Sequence, residues 1–262
     1  MRRLAVERPI PSARAARATA VFALEGVIIT LVLLRFSLVD FHEGVVALGA
    51  CLAIALVAFV FACLAFVSIW RSGAPGFGRA FAGFVLAILL LAPSGLLTLR
   101  VLARPAVSDI TTDAQEPPSL EFSRADRRYG ANALAYDPAN AARQKAAYPQ
   151  IQSLLSDLPP DDLLRLAYRL AAEKRWTLIS DLPTQALAER GDGGEINAVA
   201  KSVIFGSVDD VAIRVREIDG RTRVDMRAAA RYWPYDFGAN ARRVAGFLEE
   251  LRTRALAPPT SE

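Results

Sequence analysis

The sequence predicts an α+β protein in two parts. Three N-terminal transmembrane helices come first, then a soluble domain whose four-stranded antiparallel sheet packs against two helices. Three observations predict this. Residues 45–70 are twenty-six positions without a charge, and residues 80–99 form a second uncharged run. Net charge divides along the same boundary, with +6 over residues 1–104 and −2 over residues 105–262. Beyond residue 148 the apolar residues recur with helical and then strand periodicity, and Asp219-Gly220 is a strong hairpin signal. The expected organisation is a membrane part over 1–104, a linker or extended arm over 105–147, and a soluble α+β domain over 148–262.

The first span, residues 18–39, is the least apolar because it contains Glu25 and Arg35. Each costs up to ~3 kcal/mol at a helix centre on insertion scales. Arg35 lies within about a turn of the outer interface, where its long side chain reaches polar headgroups. Glu25 has two readings: an intramembrane carboxylate with a function, or a headgroup-level residue on a helix that meets the hydrocarbon later. No small-residue cleavage pattern follows this span, so an uncleaved helix is expected rather than a signal peptide.

The second span, residues 45–70, would be roughly 39 Å long as a helix, more than the ~30 Å hydrocarbon core of a bilayer. It holds both cysteines, Cys51 and Cys63. Twelve helical residues apart, these are separated by roughly 18 Å and cannot form a disulfide with each other. The third span, residues 80–99, carries Pro93 and Gly95, which favour a kink near its outer end. Small residues recur as Gly49 with Ala53, Ala58 with Ala62, and Gly83 with Ala87, a spacing that lets helices approach closely.

Arginines set the orientation. Arg2, Arg3, Arg8, Arg14 and Arg17 precede span one, Arg71 and Arg79 flank the second loop, and the first loop, Asp40-Phe41-His42-Glu43, has neither Lys nor Arg. The positive-inside rule then puts the N-terminus in the cytoplasm and the C-terminal domain outside. Arg100 and Arg104 run against the rule but are outnumbered. In a bacterium this is an inner (plasma) membrane protein with a periplasmic domain. The basic excess belongs to orientation and does not point to nucleic acid.

Prolines at 105, 117, 118 and 138 and scattered charge argue against a core in the linker. After Pro159-Pro160 and the acidic Asp161-Asp162, the residues Leu163, Leu166, Ala167, Leu170 and Ala171 form one helical stripe. Trp176 to Leu182 reads as a strand, and Glu195 to Phe205 as another after the Gly-Asp-Gly-Gly turn at 191–194. With Asp219-Gly220 as a two-residue turn, Val215 faces Val224, Ile213 faces Met226 and Val211 faces Ala228. On the other face Arg214 meets Asp225, Arg216 meets Arg223 and Ala212 meets Arg227. A shift of one residue destroys this apolar match. The last element, 239–254, is an amphipathic helix built on Val244, Phe247, Leu248 and Leu251, with Asp236 ahead of it as a cap.

The run Val208-Asp-Asp-Val-Ala-Ile-Arg-Val215, then Arg223-Val-Asp-Met-Arg227, Arg231 and Asp236-Phe-Gly-Ala-Asn-Ala-Arg-Arg243, resembles the domain-of-unknown-function 1499 family. Asp109-Ile-Thr-Thr-Asp113, Tyr148-Pro149 and Trp176 fit the same pattern, so the resemblance covers roughly 107–252. The chain departs from it at Arg227-Ala-Ala-Ala-Arg231, where the family usually has serines at the positions of Ala228 and Ala230, and at Tyr232-Trp-Pro-Tyr235. No serine role carries over. The resemblance implies a bacterial or plastid-lineage domain, sometimes behind membrane helices, with no established activity.

His42 is the only histidine, and no cysteine follows Cys63, so the soluble part has no Ser-His-Asp triad, Cys-His pair or His-rich metal site. No cofactor and no metal are expected. Asp209-Asp210 reads as a strand-entry turn rather than a catalytic pair, since neighbouring strand residues point to opposite faces. The feature to follow is the basic hairpin face. Arg214, Arg216, Arg221, Arg223 and Arg227 surround the single Asp225, and Arg216 opposite Arg223 is unfavourable unless a negative group intervenes. An anionic ligand, a lipid headgroup or carboxylates from the linker would each serve, as would a solvated face. Tyr232-Trp233-Pro234-Tyr235 follows, a loop suited to the membrane interface, to stacking on a ligand or to roofing the core. The expected function is an extracytoplasmic domain that binds an anionic ligand or lipid headgroup through Arg214, Arg216, Arg223, Arg227 and Trp233. The alternatives are a structural or interaction subunit of an envelope complex and, behind both, a carboxylate-based enzyme. Expected partners are membrane lipids and an anionic ligand or another envelope protein, without nucleic acid.

Overall fold

The computed structural model describes residues 10–102, 107–127, 130–179, 193–202 and 206–256, in two compact units. The N-terminal unit contains helices α1 (Pro11–Arg35), α2 (Phe41–Ser72) and α3 (Phe77–Leu102). Over 11–35, 41–72 and 77–99 each is long and apolar enough to cross a bilayer. Helices α2 and α3 exceed their apolar runs at both ends, whereas α1 is displaced from the expected 18–39: it starts earlier and stops at Arg35, where Ser37 turns into the left-handed region (φ 56°). Helix α1 begins at Pro11, where a missing N–H costs nothing, and includes Arg14 and Arg17. Gly73 ends α2 in the left-handed conformation (φ 67°), its N–H bonded to the Ile69 carbonyl.

The packing is inverted relative to a water-soluble bundle. Most of the buried side chains are alanines, Ala13, Ala16, Ala20 and Ala23 on α1, Ala55, Ala58, Ala62 and Ala65 on α2, Ala80 and Ala87 on α3, with Thr30 and Leu34 of α1 besides. Large apolar residues such as Phe22, Ile29, Leu56, Leu64, Phe81 and Leu89 are exposed. Small residues inside and bulky apolar ones outside suit association in lipid, where close backbone approach replaces the hydrophobic drive. At Gly83 a Cβ would stand 2.7 Å from the Ala16 carbonyl carbon, so only glycine fits. Of the expected small pairs, Ala58 with Ala62 and Gly83 with Ala87 are buried, whereas Gly49 and Ala53 face outward.

The C-terminal unit is an antiparallel sheet with helices. Its strands are β1 (Asp109–Thr111), β2 (Leu154–Ser156), β3 (Thr177–Leu178), β4 (Gly193–Lys201), β5 (Val208–Ile218) and β6 (Arg221–Ala230). Helices α4 (Ala139–Ala147), α5 (Pro160–Glu173) and α6 (Ala239–Leu256) accompany a 3-10 turn at Glu121–Asp126. The order is β1-β6-β5-β4-β3, and β2 shares the outer edge of β6 with β1. The sheet therefore has six strands rather than the expected four. Strands β1 and β2 are three residues each, too short for alternation to show, and they complete the edge of β6 by backbone pairing while adding Ile110 and Leu154 to the core. Residues read from composition as a linker or arm supply β1 and α4, and Val107, Ile110 and Leu120 from that stretch are buried in the domain's cores.

The hairpin has the expected register: Val215 opposite Val224, Ile213 opposite Met226, Val211 opposite Ala228, Arg214 opposite Asp225 and Arg216 opposite Arg223. Asp219 (φ 52°) and Gly220 (φ 74°) form the turn, both left-handed as a type I′ turn demands. The apolar face of the hairpin packs on Leu163, Leu164, Ala167, Leu170 and Ala171 of α5 and on Val244, Phe247, Leu248 and Leu251 of α6. Leu164 takes the place expected for Leu166, which is only partly buried. Trp176 stacks on Phe247 at 5.2 Å and 21°. The strand expected over 176–182 is described only as Thr177–Leu178, and residues 180–182, 191–192 and 203–205 lie outside the described residues.

Candidate functional site

The polar face of the β5–β6 hairpin brings Arg214, Arg216 and Arg223 around one carboxylate. Asp225 is 0% exposed. Its Oδ1 accepts from the Ser153 hydroxyl at 2.6 Å and from Arg223 Nε at 2.9 Å, while Oδ2 accepts from Arg214 Nη2 and Arg216 Nη2, each at 3.3 Å. A second carboxylate, Asp113, lies 2.9 Å from Arg223 Nη2, 3.5 Å from Arg214 Nη2 and 3.7 Å from Arg216 Nη2. A third, Glu116, bonds Arg216 Nη1 at 3.1 Å, and its backbone carbonyl accepts from Arg214 Nη2 at 2.6 Å. The negative groups that separate Arg216 from Arg223 are thus protein carboxylates, two of them from the stretch between residues 105 and 147.

Burial pushes the Asp225 carboxyl upward, but the Ser153 bond and the Arg223 and Arg214 guanidinium groups outweigh it and hold it below the usual range. Burial likewise opposes the charge of Arg216, and Glu116 and Asp225 more than restore it.

Arg227 belongs to a separate pair. At 3% exposure it is buried, its fork on Asp109 at 2.9 and 2.7 Å, its Nη2 on the Leu134 carbonyl and its guanidinium 5.4 Å from the centre of the Tyr136 ring. It ties β1 to β6 and is closed to ligands. Arg221 pairs with Asp157 on the surface.

Asp209 and Asp210 are correctly divided between opposite faces but do not form a turn. Both lie within β5 and both are buried. Pairing of this segment to β4 and β6 on both sides extends the strand through them. Asp210 receives Arg231 through Nη2 at 2.6 Å, Arg127 at 2.7 Å and the Ser123 hydroxyl at 3.0 Å. Asp209 pairs with Arg243 of α6 at 2.7 Å. Burial raises the Asp209 carboxyl despite Arg243, and burial raises Asp236 as well despite the backbone N–H groups it accepts. Those N–H groups belong to Gly238 and Asn240, at 2.8 and 2.7 Å, so Asp236 is the cap expected for α6. Asn240, fully buried, donates to the Ser108 carbonyl and accepts from Arg243.

Each buried carboxylate of the motif therefore has an arginine or helix-cap partner within the domain. A model of one protein family matches residues 109–251, from the first residue of β1 to the last buried leucine of α6. The chain belongs to the family described as protein of unknown function, DUF1499. Comparison with curated proteins and with solved structures gave no match. In this DUF1499 domain the Asp-Asp pair and the Asp-x-Gly-x-Asn-Ala-Arg-Arg segment meet at one end of the sheet, and they hold α6, β5 and the start of β1 together. Among the described residues no three His, Cys, Asp or Glu side chains are placed to hold a metal ion.

The remaining sequence-predicted residues lie elsewhere. Trp233 is 42% exposed in the loop between β6 and α6, where Tyr235 and Phe237 are exposed too. Trp233 (φ 71°) and Phe237 (φ 54°) both hold the left-handed conformation, which is strained for aromatic residues. Glu25 and Arg35 face outward on α1, so Glu25 is not buried between the helices. Sequence reasoning offered linker carboxylates as one of the candidate partners of Arg216 and Arg223 but did not single out Asp113 and Glu116, and it gave Arg227 no partner where the structure has Asp109. The Asp109-Ile-Thr-Thr-Asp113 motif, set against an arginine-rich hairpin, was the available signal.

Proposed function

We propose that this is a multi-pass inner-membrane protein whose DUF1499 domain lies outside the cytoplasm and acts as a structural or interaction module of a cell-envelope complex. The observation that carries the reading is the aromatic loop. Trp233, Tyr235 and Phe237 are exposed together, and two of them sit in strained backbone, held there by Asn132 Nδ2 on the Trp233 carbonyl and Arg242 Nη1 on the Phe237 carbonyl. Exposed, rigid aromatic side chains are the usual anchors of protein interfaces. The orientation is supported by seven arginines on the N-terminal tail and second loop against none on the first loop.

The test is a photo-crosslinking residue in place of Tyr235 in the full chain at native expression. A single defined protein adduct is expected. No adduct, or adducts with lipid alone, overturns the interaction reading. A reporter fused after Glu262 that is active only in the cytoplasm overturns the orientation.

One observation favours a second reading, an anion site on the arginine face. The Glu116 carboxylate is 69% exposed yet bonded to Arg216, and the buried Nε atoms of Arg214 and Arg216 have no partner. A ligand carboxylate or phosphate replacing Glu116 would leave three arginines facing two aspartates and the ligand. Native mass spectrometry of the full chain should then show an anionic adduct that disappears in the Arg216→Glu, Arg223→Glu variant. An adduct retained in that variant overturns this site.

A further inference from the structure

The membrane unit carries charges that its own helices do not use. Arg14, Arg17 and Glu25 on α1 and Arg79 on α3 line a cleft of about 490 Å3 together with Ala18, Val21 and Phe22. Spacings of three and four residues place the six α1 positions on one helix face. Another face of α1 carries Ala13, Ala16, Ala20 and Ala23, buried against the bundle. Arg79 stands two residues into α3, so its guanidinium and those of Arg14 and Arg17 gather where two helices begin. Unlike the buried arginines of the C-terminal domain, these three have no ion pair or side-chain hydrogen bond among the described residues, and neither has Glu25. Three guanidinium groups against one carboxylate leave the cleft at +2. Beside them runs an apolar wall whose largest member, Phe22, is 63% exposed.

We propose that this cleft binds the phosphate headgroup of an anionic phospholipid from the leaflet at the N-terminal ends of α1 and α3. Guanidinium groups match phosphate oxygens with paired N–H donors, and two helix N-termini add positive partial charge on the same side. Basic pockets between membrane helices hold such headgroups in this way. The glycerol and upper acyl carbons lie along Ala18, Val21 and Phe22. A soluble anion has no use for that wall, and this favours a lipid over free phosphate. Glu25 lies roughly 12 Å further along the helix axis than Arg17 and repels phosphate, which fixes the depth of the headgroup. The inference rests on α1–α3 spanning a bilayer and is independent of which surface the C-terminal domain uses.

The experiment is native mass spectrometry of the full chain released from detergent, titrated separately with phosphatidylglycerol, phosphatidylcholine and inorganic phosphate. One phosphatidylglycerol per chain, retained in preference to phosphatidylcholine, is expected. Retention should weaken by about a hundredfold in the Arg14→Gln, Arg17→Gln, Arg79→Gln variant and by about fivefold in Arg79→Gln alone. The single variant alters an exposed side chain, so it reads the site even where the triple variant fails to fold. Equal retention of the two lipids, or unchanged retention in Arg79→Gln, overturns the site. Inorganic phosphate that binds alone and displaces the lipid overturns the lipid as its occupant. Alkaline extraction of wild-type membranes separates the two levels. Release of the protein overturns the spanning helices themselves, whereas retention without lipid preference overturns only the headgroup site.

Discussion

Replacing Asp225 by Asn removes the charge around which three arginines are arranged while keeping the shape of the side chain and one acceptor oxygen. Breaking a buried ion pair costs about 3–5 kcal/mol, most of it the penalty of the charge left behind. Here the stranded groups are Arg214, Arg216 and Arg223, whose side chains are 18%, 32% and 27% exposed, and Asp113 remains to share them. Solvent and Asp113 together bring the cost to the lower end, about 3 kcal/mol. For a domain of this size each kcal/mol moves the melting midpoint by about 2–4 °C, so the midpoint should fall by roughly 6–12 °C. The assay is a thermal melt of the full chain in detergent followed by tryptophan emission, since Trp176 stacks on Phe247 in the domain core. Arg221→Ala is the reference, because it removes an exposed pair with Asp157 and should change stability by about 0.5 kcal/mol or less. An Asp225→Asn midpoint within experimental error of wild type would refute the idea that this carboxylate organises the arginine face.

Three further outcomes follow from the same geometry. Asp225 titrates below its unfolded value of about 4, so its contribution is complete above that pH and is lost as pH falls through the folded pKa. Asp209 runs the other way, because its raised pKa means that protonation on acidification relieves a burial cost. In a series of melts against pH, Asp225→Asn should flatten the acid limb and Asp209→Asn should steepen it; unchanged limbs contradict the assignments. Asn240→Ala removes a buried donor to the Ser108 carbonyl and an acceptor for Arg243, and should cost about 2 kcal/mol in the same melt. Gly83→Val forces a Cβ into the Ala16 backbone and should destabilise the helix bundle by about 1–3 kcal/mol, read as loss of monodisperse protein on gel filtration in detergent.

What could be read from the sequence was local. The hairpin was legible to the residue because Asp219-Gly220 fixes a two-residue turn, and a strand period of two then determines every partner. The three long apolar helices were legible because uncharged runs of twenty and twenty-six residues leave few alternatives. Their ends were not, since helical hydrogen bonding runs on through Arg14 and Arg17. The short strands β1 and β2 carry too few residues for a period. The arginine face was visible as an excess of charge, but its partners were hidden by distance along the chain. Asp113 meets Arg223 across 110 residues and Asp109 meets Arg227 across 118, and no local pattern reports such pairs. The Asp-Asp pair looked like a turn because two adjacent acids are rare inside a strand. Arg231 and Arg127 on one face and Arg243 on the other make them tolerable there.

Those long separations set a timetable for making the protein. On the ribosome β1 is among the first pieces of the domain to emerge, yet both its hydrogen-bonding edge and the guanidinium that neutralises Asp109 belong to β6, the last strand synthesised. Until β6 arrives, the first strand of the domain has no partner for its backbone and carries an uncompensated acid. The structure therefore closes from its C-terminal end backwards, a high-contact-order route that is slow and leaves the nascent segment open to proteases and edge-to-edge pairing. A chain truncated before Arg227 would keep helices α1–α3 and most of its strands but would lack every residue of β6 that pairs with β1, so the domain's first strand depends on nearly its last.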